Sequence, residues 1–238
     1  MTRRRWIADT WNEERTAASL TGDQAAHLSR VLRAEVGQIF DVVAGGFLHR
    51  AEIARVSENE VVFTLHEEQD SSHALPVQLL LAVYKFDHME WAIEKATELG
   101  AERITPVLAR RTEKHLALAS TKRVERWRRI VLESAKQSRR TDVPVVDSPV
   151  RLSEALKGVR ATTRILLAET EQENTLASAL KDHPGEIALA IGPEGGWAPE
   201  EMKSFSDAGW KHVTLGPRIL RAETAAIAAL AITSSLIG

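Results

Sequence analysis

Glu186-Ile187-Ala188-Leu189-Ala190-Ile191-Gly192-Pro193-Glu194-Gly195-Gly196 is the stretch that decides the fold. Its first six residues, apolar after Glu186, have the length of a buried strand, and glycine and proline end the run abruptly. About 20 residues later the pattern recurs: Lys211-His212-Val213-Thr214-Leu215 runs into Gly216-Pro217-Arg218-Ile219-Leu220-Arg221-Ala222-Glu223-Thr224-Ala225. Each loop leads into a segment of helical character. Glycine serves where the backbone must take a positive φ or lie close to a ligand. Loops at the carboxyl ends of strands are where open α/β sheets bind ligands. A lone Gly-Pro-Glu-Gly-Gly is equally compatible with an ordinary turn, but two such loops in succession point to a small-molecule cleft made of backbone amides and carbonyls.

What the loops lack narrows the ligand. Neither has the G-x-G-x-x-G spacing of a dinucleotide site nor the G-x-x-x-x-G-K-[ST] of a P-loop. Pro193 removes an N–H where a phosphate cradle needs one, and Glu194 repels phosphate while suiting a cation. A nucleoside cofactor with a positive centre, such as the sulfonium of S-adenosylmethionine, fits better than NAD or ATP.

Working outward, the chain divides near residue 72. Before it, alternating segments at 39–43, 48–56 and 61–66 read as strands, separated by Gly45-Gly46 and Ser57-Glu58-Asn59-Glu60. A helix is expected over 21–32, with Thr21 and Gln24 forming a capping box. Ser71-Ser72-His73 with Pro76 reads as the linker. After it, strands at 77–84, 103–108 and 164–169 alternate with helices at 88–99, 122–138 and 175–181, ahead of the two glycine loops. Such alternation predicts an α/β domain with a largely parallel sheet.

The 238 residues carry 31 Lys and Arg against 33 Asp and Glu, with no cysteine. Disulfides and thiolate metal sites are thereby excluded, the eight histidines show no metal-ligand spacing, and no metal is expected. No apolar run reaches the ~20 residues of a membrane span, the start has no signal-peptide core, and a cytoplasmic location is expected. The overall charge of −2 hides a strong asymmetry. Between Arg103 and Arg140, twelve Lys and Arg face three Glu. Val124, Trp127, Ile130, Val131 and Ser134 fall at helical spacing for a buried stripe. Lys122, Arg126 and Arg129 line an outer face, which reads either as a solvated helix surface or as a contact for a phosphate backbone.

Taken together, these motifs resemble the RsmE family, the 16S rRNA uracil-N3 methyltransferases of the SPOUT class. Three carry the C-terminal likeness: Leu166-Leu167-Ala168-Glu169, the Gly192–Gly196 loop, and 215–225. Lys85-Phe86-Asp87-His88-Met89-Glu90-Trp91, Lys95-Ala96-Thr97-Glu98-Leu99-Gly100, Gln137-Ser138-Arg139-Arg140 and His27-Leu28-Ser29-Arg30-Val31-Leu32-Arg33 extend it over nearly the whole chain. Where family members commonly have Gly-Asp after the first helix, this chain has Gly37-Gln38, so any role of that acid is absent.

The resemblance implies a PUA-like RNA-binding β-barrel over 1–72 and a SPOUT α/β domain with a C-terminal trefoil knot over 73–238. The knot rests on the resemblance alone, since threaded chains are too rare to expect on physical grounds. It implies S-adenosyl-L-methionine held by Leu167, Glu169, Ile191, Gly192, Pro193, Glu194, Gly195, Gly196, Leu215, Gly216, Ile219, Leu220, Thr224 and Ala225. It also implies a homodimer formed through the apolar C-terminal helix, and 16S rRNA, within the 30S subunit, as partner. Candidate RNA contacts are Arg30, Arg33, Lys85, Arg126, Arg129, Arg139 and Arg140, with Arg3 to Arg5 beside them.

Methylation at uracil N3 requires loss of the N3 proton and stabilisation of charge spreading to O2 and O4. Arg218 and Arg221 are expected to supply donors for that charge. Glu223 is expected to act as base or to hold an arginine; an arginine beside it would make it a weak base, which favours the holding role. The histidines, His88 included, are expected to be surface or structural. A SPOUT enzyme acting on another RNA or on a ribose 2′-hydroxyl, and a non-catalytic RNA-binding assembly factor, remain open alternatives.

Overall fold

The computed structural model describes residues 5–69, 74–181 and 185–237. The chain divides into two compact units, Met1–His73 with Ala135–Asp142, and Ala74–Ser134 with Val143–Gly238. Ala135–Asp142, read from the sequence as part of the second domain, packs with the first unit, where the Arg5 guanidinium donates to the Arg139 carbonyl. The expected linker residues 71–73, like Arg3 and Arg4, lie outside the described residues, and Pro76 belongs to a strand.

The first unit contains β1 (Arg5–Ile7), β2 (Thr10–Trp11), β3 (Ala17–Thr21), α1 (Gly22–Ala26) with a π-helical turn at His27–Val31, β4 (Ile39–Ala44), β5 (Phe47–Val56) and β6 (Glu60–Gln69). The strand order is β1-β4-β5-β6-β3-β2. Its two edge strands are consecutive in sequence, and Ala8 and Asp9 between them donate to Val43 and Ser19. The sheet therefore curls until its edges meet, leaving none to aggregate. Two register shifts in β5 supply the bending. Trp6, Leu20, Leu28, Ile53 and Phe63 fill the interior.

The expected single helix over 21–32 is α1 plus the π turn, and its capping box does not form. Asp9 outcompetes it: the Thr21 N–H and hydroxyl both donate to Asp9 Oδ2, at 2.7 and 3.1 Å. The Gln24 amide donates to the Ile7 carbonyl and to Asp9 Oδ1.

The second unit contains β7 (Leu75–Ala82), α2 (Phe86–Glu98), β8 (Ala101–Leu108), α3 (Lys114–Gln137), β9 (Val145–Val146), β10 (Val150–Arg151), α4 (Leu152–Gly158), β11 (Thr163–Leu167), α5 (Leu176–Leu180), β12 (Ile187–Ile191), α6 (Pro199–Asp207), β13 (Lys211–Val213) and α7 (Ala222–Ile237). The sheet order is β10-β8-β7-β12-β11-β13, with β9 also pairing β8, and every pair is parallel. Alternation across the central strands sorts side chains by size. Val77, Leu79 and Leu81 with Ile187, Leu189 and Ile191 face the side covered by α2, α3 and α7. Ala82, Ala188 and Ala190 leave room on the other side for Trp197, Phe205 and Trp210.

Helix α3 begins at Lys114, not 122, because Leu116 extends the buried stripe of Val124, Trp127 and Val131 by two turns. Helix α7, expected to be apolar all round, buries Ala222, Glu223, Ala226, Ala229, Leu230 and Thr233 on one face. Ile227 is half-buried and Leu236 exposed.

Candidate active site

The order of the parallel sheet reverses between β7 and β12, and the crevice outside the carboxyl ends of the strands at such a switch is where α/β sheets bind ligands. Three expected loops gather on that edge from adjacent strands β12, β11 and β13. Leu167 ends β11 and Glu169 follows it, Gly192 to Gly196 follow β12, and Leu215, Gly216, Ile219 and Leu220 follow β13; Thr224 and Ala225 lie in the opening turn of α7. The loops after β11 and β13 are tied together, Thr214 N–H donating to the Asn174 carbonyl at 2.8 Å and Leu176 N–H to that of Thr214 at 3.1 Å. Glu171 orders the first of these by accepting the N–H groups of Asn174, Glu173 and Gln172. Those bonds, Asn174's foremost, pull its carboxyl down to about 2.

The glycines serve different ends. Gly196 sits at φ +68° and closes a turn onto the Pro193 carbonyl at 2.8 Å. Gly216, at φ +119°, has open space where a Cβ would stand. Gly192 instead makes room for Trp197, whose Nε1 would lie 3.0 Å from a Cβ there, so its need is packing rather than close approach of a ligand. The Ile191 side chain belongs to the core, at 2% exposure, whereas Ile219 stands 79% exposed.

A second group of polar side chains meets at the end of β7, and here the sequence reading missed two members. His88, read as surface or structural, lies in the first turn of α2 with Nδ1 facing Glu194 Oε1 at 3.6 Å and Glu223 Oε1 at 3.7 Å. Lys85 Nζ lies 3.6 Å from Glu194 Oε2. Glu223 is buried, and among the described residues it faces His88 and is paired with no arginine. Arg218 and Arg221 are exposed. Tyr84 is buried beside this group, and burial, with Glu223 and Glu194 adding, pushes its phenol far above the usual range. Tyr84 Oη, His88 Nδ1 and Glu223 Oε2 are buried with no hydrogen-bond partner among the described residues. Tyr84 ends an apolar run without periodicity of its own, so no pattern in the sequence singled it out.

The segment after β8 clamps this edge. Arg111 Nη1 donates to the Gly195 carbonyl at 2.7 Å, and Thr112 Oγ1 to that of Val83 at 2.9 Å. Glu201, 9% exposed, accepts the N–H groups of Ala198 and Arg110, both at 2.8 Å. The sequence reading named neither Arg111 nor Glu201.

The candidate RNA contacts fare unevenly. Arg126 Nε donates to Glu90 Oε1 at 2.8 Å, with Arg123 on the same carboxylate, so part of the basic face of α3 is internally neutralised. Lys122 and Arg129 are exposed without an ion pair among the described residues. Arg140 is buried at 6% exposure and paired with Asp142: it is a structural cation, not a surface contact. Arg139 is exposed at φ +62°. On the first unit, Arg30 pairs with Glu58 at 2.7 Å and Arg33 is exposed at φ +48°.

Residues 53–234 match an RNA methyltransferase domain, and 20–65 an RNA methyltransferase PUA domain. A ribosomal RNA small subunit methyltransferase E of a Synechocystis species is 37% identical over 224 residues, spanning 92% of this chain and 73% of that protein. That of Bacillus subtilis is 31% identical over 233 residues, spanning 93% and 91%. The crystal structure of the Neisseria gonorrhoeae ribosomal RNA small subunit methyltransferase E bound to S-adenosyl methionine matches with a TM-score of 0.84 at 27% identity, over 99% of this chain and 98% of that one. On these likenesses and the loop architecture that underlies them, the chain belongs to the ribosomal RNA small subunit methyltransferase E family of RNA methyltransferases.

Proposed function

We propose that the protein uses S-adenosyl-L-methionine to methylate N3 of a specific uridine in 16S rRNA, acting as a homodimer on RNA of the small ribosomal subunit. The observation that carries this reading is the gathering of three loops, two of them glycine-bearing, at the switch point of the sheet, beside a buried carboxylate whose Oε2 has no partner among the described residues. The residues fit the cofactor. Backbone groups of the loops after β11, β12 and β13 suit an adenosine, Ile219 and Leu220 offer it apolar faces, and Glu194 and Glu223 favour a cation and disfavour phosphate. When bound, S-adenosylmethionine supplies an electrophilic methyl group. Arg218 and Arg221 are placed, exposed at the lip of the loops, to donate hydrogen bonds to O2 and O4 of a uracil as they gain charge. Lys85, Arg129 and Arg139 are the surface cations best able to meet RNA phosphates.

The test is nucleoside mass analysis of 16S rRNA from a deletion strain before and after treatment with the protein and labelled S-adenosylmethionine. Label recovered as 3-methyluridine supports the reading. Label on a ribose 2′-hydroxyl, or in another RNA, replaces it with the corresponding alternative, and cofactor-independent RNA binding alone would leave an assembly factor.

A further inference from the structure

We propose that His88 takes the N3 proton of the target uracil through Nε2, with Glu223 and Glu194 holding the proton on Nδ1 and the imidazolium that forms. This rests on the N3 reading above and adds the group that such a reaction needs and that the loop motifs do not name.

Four observations carry it. First, His88 Nδ1 is buried and makes no hydrogen bond among the described residues, although it faces Glu194 at 3.6 Å and Glu223 at 3.7 Å. Those separations exceed a hydrogen bond but lie well within the reach of charge attraction. Second, Glu223 is 3% exposed with Oε2 unpartnered, and a buried carboxylate left so is costly unless a cation comes to it. A proton arriving on His88 makes that cation in place. Third, the other ring nitrogen, Nε2, points to Asp87 Oδ2 at 3.8 Å, and Asp87 is 77% exposed. The two carboxylates facing Nδ1 favour the tautomer with its proton there, which leaves Nε2, beside exposed Asp87, as the acceptor and gives the proton a way out to water. Fourth, the neighbours are poorly suited to the task. Tyr84 keeps its phenolic proton, the Lys85 ammonium lies beside Glu194, and the guanidinium groups of Arg218 and Arg221 offer donors and no acceptor.

In the step itself the N3–H bond breaks and the proton goes to Nε2. The electron pair left on N3 spreads to O2 and O4, then forms the bond to the methyl carbon as that carbon's bond to sulfur breaks, leaving a neutral thioether. The proton then leaves Nε2 to solvent, past exposed Asp87. Glu223 acts here as a positioning residue, on the logic of a carboxylate that orients a histidine base and stabilises its cation.

The experiment has two arms. In the protein without cofactor or RNA, the ¹⁵N shifts of the neutral His88 ring are expected to report the proton on Nδ1; a proton on Nε2 overturns the proposal whatever the reaction. In single turnover with labelled S-adenosylmethionine and 30S subunits from a deletion strain, His88→Gln is expected to lower the rate by about 10²- to 10⁴-fold. It should abolish the rise of rate with pH expected of the parent, with cofactor affinity by calorimetry within about threefold. Added imidazole is expected to restore part of the activity of His88→Gly, which a merely structural histidine would not allow. A His88→Gln rate within fivefold of the parent, or loss of cofactor binding in that variant, refutes the assignment. If the parent's product is not 3-methyluridine, the N3 reading has failed and takes the base with it; if the product is 3-methyluridine and the variants behave as wild type, only the base assignment falls.

Discussion

Replacing Glu201 by alanine should loosen the exit of the Gly192–Gly196 loop and lower stability by an amount the structure allows one to work out. The carboxylate accepts two backbone N–H groups at 2.8 Å, from Ala198 and from Arg110. Ala198 is 5% exposed, so its N–H would be left dry, and a hydrogen bond to a charged group lost in that way costs about 2 kcal/mol. Arg110 is exposed and water can replace its partner, which reduces that share to about 1 kcal/mol. The sum, about 3 kcal/mol, corresponds to a fall of roughly 6 to 12 °C in the unfolding midpoint for a body of this size. Glu201→Gln keeps one oxygen acceptor but turns an NH₂ group toward the other N–H, so it should fall between parent and alanine. Calorimetric unfolding gives the magnitude, and hydrogen exchange gives the location, since the Ala198 amide should lose more protection than any in β7 or β12. A midpoint within 2 °C of the parent, or unchanged Ala198 exchange, would show that the carboxylate pins nothing and that packing of Trp197 and Phe205 alone holds this turn.

Two further outcomes separate residues that the sequence grouped together. Arg129→Gln is expected to flatten the dependence of log K on log salt for RNA binding by roughly 0.7 to 0.9, whereas Arg140→Gln should leave the slope unchanged and instead reduce stability, because Arg140 is buried against Asp142; equal slopes for parent and Arg129→Gln would mark the outer face of α3 as solvated surface. Ile227→Glu, on the half-buried side of α7, is expected to yield folded monomers by sedimentation, while Leu230→Glu, at 0% exposure within its own unit, should fail to fold; a parent that sediments as a monomer at micromolar concentration would reject the dimer.

Much of the architecture was legible because periodicity and punctuation agreed. The apolar runs at 187–191 and 75–82 are strands of the parallel sheet, and each glycine loop stands at a strand's carboxyl end as expected. The misses have a common physical cause, competition from residues distant in sequence. Thr21 and Gln24 have the spacing of a capping box, but Asp9, twelve residues before Thr21, offers a charged acceptor to both. The closure of the first sheet depends on β1 and β2, three and two residues long, too short for any periodicity to register. Ala135–Asp142 joins the first unit although it follows without a break from a helix of the second, and no composition shift marks the change.

The site was legible in its backbone and obscure in its side chains, for a reason that the charges make plain. Glycine and proline announce a loop by themselves, because what they do to the backbone is local. A buried carboxylate acquires its meaning only from what faces it. Glu223 follows Arg221 closely in sequence, so an arginine partner was the natural reading; yet residues two apart on a helix point to different sides, and the α7 face that buries Glu223 turns it toward α2 instead. His88 in turn looked isolated because its partners lie more than a hundred residues away, on the loop after β12 and on α7. The basic stretch misled in the opposite direction. Twelve cations against three acids between Arg103 and Arg140 suggest an unpaired face, but Glu90 lies outside that count and takes both Arg123 and Arg126 across the α2–α3 contact. Local charge balance thus overstates a surface field wherever a neighbouring helix supplies the counter-ion, and the α3 cations we propose for RNA are those, such as Arg129, that stand exposed without an ion pair among the described residues.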